Sequence, residues 1–376
     1  MTHVFVVDIN TFKYHLEYKF AGTGAKDKQS NFLFNANVPY PATTERMLVG
    51  MIADISRIRI GDNIIFYLQS ANGDPGMFYG VFQAESLPFF DENDENNYLV
   101  DKLKKGLSFR ILISGKNVYS KGITEHEFLD SLSEKTHPSD LCWSLIYRKL
   151  KGNRGCTMIM DYEYDDLLKK LKAKNNNTII GSTNYTFNST TKEIEAFNEK
   201  NDYLGNQTSM NIKDRLLYKF NRNNAFETHL QAYLTQNFDS NDYRDILLPL
   251  KNEDVWIGNE VSCGVGMQRI DLVLKQETDN DVFIKLIELK DEAPSRAIVD
   301  YQIPWYLEWL SYYVIPKYAH KKIHVIPCIV AKGKLSNALK DHYQSFKFDI
   351  TNVDVGDLEY IGFEIVGNKI ELNKYL

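Results

Sequence analysis

Two apolar runs in the second half of the chain, RIDLVLK at Arg269 to Lys275 and DVFIKLIELK at Asp281 to Lys290, carry carboxylates where strands bound for the interior should hold none. Their aliphatic and β-branched residues favour strands. Asp271 sits between Ile270 and Leu272 near the start of the first run. In the second, alternation puts Glu288 and Lys290 on one strand face and Leu289 on the other. A buried carboxylate is tolerated only when it is paired or binds a metal. The pattern points to a sheet in which these acids meet a cation.

The flanking segments say what kind of sheet. AFETHLQAYLTQNF spaces Phe226, Leu230, Tyr233 and Leu234 as one helical face, and DVWIGNEVS reads as a strand. DYQIPWYLEWLSYYVIPKY is helical with Pro304 near its start, and KIHVIPCIVA (Lys322 to Ala331) is a buried strand. Helix, strands, helix, strand predicts an α/β core with a mixed central sheet.

The first half differs. VFVVDI, NIIFYLQ, MFYGVFQA and SFRILI are short strands, the middle two joined by ANGDPG as a hairpin with a longish loop. ERMLVGMIADISRI places Met47, Leu48, Met51, Ile52 and Ile55 on one helical face. A mostly β domain with a few helices follows. At 376 residues the chain exceeds what one hydrophobic core usually serves. Lys169 to Asn211 is poor in large aliphatics and dense in Asn, Thr, Ser and Lys. It predicts a domain at 1–170, a polar linker at 171–211 with a short helix over Glu193 to Asn201, and a second domain at 212–376.

A net charge of −6 gives no global attraction to a polyanion, so any nucleic-acid surface must be local. Cys142, Cys156, Cys263 and Cys328 lie far apart without zinc-ligand spacing, and neither a disulfide framework nor zinc is indicated. The N-terminus lacks the pattern of a secretory signal and no apolar stretch suits a membrane span, so a cytoplasmic protein is expected.

An acid and a lysine on one strand face, opposite an acid on the next strand, make a site for a hard divalent ion such as Mg²⁺ or Mn²⁺ beside an ammonium group. Here the chain resembles the PD-(D/E)XK nuclease superfamily, through Asp271, the Glu288-Leu289-Lys290 element, Glu227 on the preceding helix, and Gln302 with Tyr306 as the Q-x-x-x-Y pair of its RecB-like branch. NEVSCGVGMQRIDLVL followed by IELK is similar to the mismatch endonucleases of archaea and actinobacteria. The resemblance, over about Asn211 to Lys332, implies a restriction-endonuclease-like core. Glu227, Asp271 and Glu288 would support the metal, Lys290 catalysis, and Gln302 and Tyr306 the positioning of the site or the DNA backbone. The ordinary readings are a solvated helix face for Glu227, pairing of Asp271 with Arg269 and of Lys290 with Glu288, and packing for Tyr306. His229, His320 and His324 are structural or surface residues on this reading.

The first half more faintly resembles the PUA-like superfamily, EVE and YTH-type domains in particular, through VFVVDI, GDNIIFYLQ with GMFYGVFQA, and LCWSLIYRKLKGNRG. That implies a barrel able to hold a flipped or modified base. Trp143, Tyr67 and Phe34 are the candidate stacking aromatics, and Ser144 and Asn72 the candidate readers of a base edge. Arg148, Lys149, Lys151 and Arg154 form the densest basic cluster and suit phosphates. Barrel core for the aromatics and a solvated face for the cations are the plain alternatives.

Together these features predict a Mg²⁺-dependent restriction-type endonuclease acting on double-stranded DNA, dimeric at least while it cuts both strands. A repair nuclease for mismatched or branched DNA, and an RNA-binding or inactive nuclease-fold module, are the alternatives.

Overall fold

The computed structural model describes residues 1–24, 41–71, 73–91, 98–130, 135–145, 155–264 and 268–376. The chain forms two compact units, Met1–Thr136 with Cys142–Asn211, and His137–Leu141 with Ile212–Leu376. Among the described residues no helix is long and apolar enough to cross a membrane.

The first unit runs β1 (Thr2–Val7), α1 (Phe12–Glu17), β2 (Phe20–Thr23), α2 (Ala42–Ile55), β3 (Asn63–Leu68), β4 (Met77–Ala84), β5 (Phe89–Phe90), α3 (Val100–Leu103), β6 (Phe109–Gly115), β7 (Ile123–Thr124), α4 (Glu125–Leu129), β8 (Cys156–Ile159), α5 (Asp161–Lys174), β9 (Tyr185–Asn188), β10 (Glu193–Ala196) and β11 (Thr208–Ser209). Its main sheet has the order β11-β5-β6-β4-β3-β1-β8, with β2 on β6 and β7 on β4. β1 is parallel to β3 and antiparallel to β8. The ANGDPG segment does connect an antiparallel pair, β3 and β4, and Gly73 supplies the positive φ of +87° that its turn needs.

Residues 171–211 are not a linker. They belong to the first unit, where α5 continues to Lys174 and β9 pairs with β10. Glu193 to Asn201 starts with strand β10 rather than the expected helix. Large apolar residues are few here but alternate, so one hairpin buries Tyr185, Phe187 and Ile194 while its polar residues face water. Phe187 packs on Phe12 at 4.7 Å between ring centroids and on Tyr79 at 5.6 Å. The Asn188 side chain accepts from the amides of Thr190 and Thr191, and Lys192 takes a φ of +57°, which closes the hairpin.

The second unit runs α6 (Lys213–Asn221), α7 (Glu227–Asn237), α8 (Asn241–Leu247), β12 (Val255–Ser262), β13 (Arg269–Glu277), β14 (Asp281–Lys290), α9 (Ile303–Tyr313), β15 (Lys322–Lys332), α10 (Asn337–Gln344), β16 (Val353–Val355), β17 (Glu359–Val366) and β18 (Lys369–Lys374). Its sheet has the order β12-β13-β14-β15-β17-β18, with β16 also on β15. β12, β13 and β14 form an antiparallel meander, β14 and β15 are parallel with α9 in the crossover, and β17 and β18 close an antiparallel hairpin. The sheet is thus mixed, as the segment order predicts. β14 and β15 are buried almost throughout, as strands covered on both faces must be. On the side of β15 away from β14, β16 pairs as far as Val325 and β17 starts at Cys328, so Pro327 has no paired residue there.

Candidate active site

Antiparallel pairing of β13 with β14 sets Leu272 opposite Ile287, which brings Asp271 beside the end of β14. The Asp271 Oδ2 atom accepts the Leu289 amide at 2.8 Å. Glu288 is 2% exposed. Its Oε1 accepts from Lys290 Nζ at 2.6 Å and from Gln302 Nε2 at 2.7 Å. The Lys290 ammonium also lies 3.3 Å from Oε2 of Glu227, the first residue of α7. Arg269, the alternative partner for Asp271, instead pairs with Glu260 at 2.5 Å.

The start of α9 completes the arrangement. A π-helical turn over Ile298–Gln302 leads into α9, and Pro304 sits in the first helical turn, where its missing N–H does no harm. Gln302 and Tyr306, four residues apart, therefore share a face. The Tyr306 hydroxyl accepts from Gln302 Nε2 at 2.7 Å. Its own proton has two acceptors within reach, Glu288 Oε2 at 2.8 Å and the Arg269 carbonyl at 2.9 Å. The charged oxygen is the stronger acceptor. Asp271, Glu288, Lys290, Glu227, Gln302 and Tyr306 thus stand in one connected network.

Two further residues belong to it. Gln231 Nε2 donates to the Asp271 carbonyl at 2.9 Å, while its Oε1 is buried without a hydrogen-bond partner. Asp291 Oδ2 accepts the amides of Phe226 at 2.5 Å and Glu227 at 3.1 Å. Sequence reasoning missed both. The available signal was that Phe226, just before the helix, has no side-chain oxygen with which to cap it.

Burial holds the Asp271 carboxyl well above the usual carboxylate range, Glu288 and then Glu227 adding to the effect and the Leu289 amide opposing it. Burial also raises Glu227, against the pull of Lys290. For Lys290 burial works downward but is outweighed, first by Glu288 and then by Glu227, so the ammonium stays protonated. Burial, with Glu288 and Asp271 adding, pushes the Cys263 thiol up to about 12, too high for a resting nucleophile. Glu288 and Glu227 share one ammonium, and the Asp271 carboxyl stands beside them with a backbone amide as its partner. Among the described residues no three His, Cys, Asp or Glu side chains are gathered as a ready metal cage. Glu227 and Glu288 converge on Lys290 instead. By donor chemistry the carboxylates and the Gln231 amide oxygen suit a hard cation.

Because the folded state holds the Asp271 proton more tightly than the unfolded chain does, its contribution to stability falls as pH rises from the ordinary carboxylate value, roughly 3.9, through the raised folded value. Asp271→Asn keeps an oxygen for the Leu289 amide and removes the charge. In metal-chelating buffer this variant is expected to melt above the parent at pH 8 and close to it at pH 4. A variant no more stable than the parent at pH 8 shows that Asp271 is not under electrostatic strain.

In the first unit the candidates do not converge. Tyr67 is 1% exposed, donates to Glu125 Oε2 at 2.5 Å and packs on Phe78 at 4.9 Å, so it is a core residue with no free face for a base. Ser144 is buried, its amide donating to Glu163 Oε1 at 3.1 Å. Trp143 is half-buried between Cys142 and Ser144. Phe34, Asn72, Arg148, Lys149, Lys151 and Arg154 lie outside the described residues.

No family model matches the chain, and neither does any curated protein. Among solved structures it is similar to a hypothetical protein from Leishmania major, at 11% identity over 46% of this chain and 95% of that one, with a TM-score of 0.30. A protein from Pseudomonas syringae is similar at 11% identity over 45% of this chain and 99% of that one, with a TM-score of 0.27. Human THYN1, solved in complex with 5-methylcytosine containing DNA, is similar at 8% identity over 46% of this chain and 97% of that one, with a TM-score of 0.26. Likenesses this slight carry no assignment.

Proposed function

We propose that the chain is a Mg²⁺-dependent endodeoxyribonuclease of restriction type, in which the second unit hydrolyses phosphodiester bonds of double-stranded DNA and the first recognises a DNA site or a modified base. One observation carries the reading: Glu288, buried on a central strand, is held by Tyr306 and Gln302 while it shares Lys290 with Glu227 and has Asp271 on the adjacent strand. Carboxyls raised by burial, as those of Asp271 and Glu227 are beside it, gather at functional sites.

Asp271, Glu288 and Glu227 would hold the cation, which when bound polarises the phosphodiester and lowers the pKa of a water molecule. Gln302 and Tyr306 fix the Glu288 carboxylate, so its oxygens need no reorganisation when a charge arrives. Lys290, kept protonated by its acids, serves as a cation towards the phosphate or orients the water through a donated hydrogen bond. It does not act as a base. Water adds to phosphorus and the bond to one ester oxygen breaks, leaving a phosphate and a hydroxyl end. Cutting both strands of a duplex requires two centres, hence a second copy of the chain.

The test is to incubate the protein, with Mg²⁺ or with chelator, with matched plasmids carrying cytosine, 5-methylcytosine or 5-hydroxymethylcytosine, a mismatched duplex and an RNA. Mg²⁺-dependent double-strand ends that depend on the modification are expected. Cleavage confined to the mismatched duplex favours a repair nuclease, and cleavage of RNA alone overturns the DNA reading. If Trp143 stacks on a base, Trp143→Ala weakens DNA binding roughly fivefold or more, since one base–aromatic stack contributes about 1–3 kcal/mol. Unchanged binding in a titration removes Trp143 from the interface.

A further inference from the structure

Resting on the reading of a metal-dependent centre, we propose that Asp291 is a positioning residue that fixes where the Glu227 carboxylate stands. Helix α7 begins at Glu227, and Phe226 before it offers no side-chain cap. The first amides of a helix need acceptors. Asp291, directly after Lys290 and the end of β14, supplies one oxygen to both the Phe226 and the Glu227 amides, from 65 and 64 residues away in sequence. One turn along, Gln231 ties the same helix to the Asp271 carbonyl of β13. The first turn of α7 is therefore pinned to the two strands that carry the other acids. Glu227 occupies the position that would fray first without that pin, and a frayed turn would present its carboxylate over many geometries instead of one.

Groups that orient metal ligands are worth on the order of 10- to 100-fold in metal affinity. The experiment titrates Mn²⁺ into the full chain by isothermal calorimetry without nucleic acid, for the parent, Asp291→Ala, Asp291→Asn and Glu227→Ala. Asp291→Ala is expected to bind Mn²⁺ roughly tenfold more weakly. Asp291→Asn, which keeps an acceptor oxygen but not the charge, is expected between it and the parent, and Glu227→Ala at or below Asp291→Ala. Parent-like affinity in Asp291→Ala overturns the role; where the alanine variant does not fold, affinity in Asp291→Asn as weak as in Glu227→Ala overturns it, because the retained acceptor oxygen should restore the pin. A parent that binds no Mn²⁺ overturns both this role and the nuclease reading. A parent that binds Mn²⁺ but cuts no DNA overturns the nuclease reading alone, and the same affinities still decide on Asp291.

Discussion

Alanine at Lys290 is expected to lower Mg²⁺-dependent cleavage by on the order of 10³-fold, the scale on which a single preorganised donor to a developing negative charge acts. The structure gives the reason for so large a loss from one side chain. Lys290 is the cation shared by Glu288 and Glu227, and its ammonium stays protonated because their pull exceeds the effect of burial. Duplex binding, which spreads over many contacts, should persist within a few-fold. The check is single-turnover cleavage of a nicked-or-cut plasmid, with binding followed separately in Ca²⁺. A Lys290→Ala protein that cuts at the parent rate places the chemistry elsewhere.

Glu288→Ala is expected to have the largest effect on folding. Its carboxylate takes hydrogen bonds from Lys290, Gln302 and Tyr306. Removing it leaves a small cavity and three donors to be satisfied anew. Two factors moderate the loss: Tyr306 keeps the Arg269 carbonyl as an acceptor, and Asp271 loses a repelling neighbour. A net destabilisation of about 3 kcal/mol follows from orphaned buried polar groups. That corresponds to roughly 6–12 °C in the melting temperature of a unit this size. Thermal unfolding in chelating buffer measures it, and a shift below about 2 °C would mean the network holds nothing together. Asp271→Asn should move the melt the other way. Neighbouring carboxylates then have opposite effects, because Glu288 is well supplied with donors while Asp271 mainly endures burial and repulsion.

The acids were legible in the sequence because they break a pattern: a carboxylate inside an apolar strand run has few ordinary explanations. Gln302 and Tyr306 were legible by their four-residue spacing, although the π-helical turn that starts their helix left no mark in the sequence. Of Asp291 only half was legible: Phe226 shows that its helix lacks a cap of its own, but the residue that supplies one lies 65 positions on and no side-chain pattern records it. Residues 171–211 misled because counting large aliphatics measures how much can be buried, not where. Tyr185, Phe187 and Ile194 each show that a few well-spaced apolar groups in a polar surrounding still join a core. Trp143 stands out in sequence, but the basic cluster that follows it lies outside the described residues.

Strands buried on both faces lose the two-sided pattern that ordinarily tells one alignment from the next, so apolar burial alone would let β15 slide along its outer neighbours. Pro327 breaks that degeneracy: sliding β15 along its outer neighbours would push the one residue without an amide hydrogen under β16 or β17. A ring with no chemistry of its own thereby acts as an alignment peg that keeps β15 in place against β16 and β17.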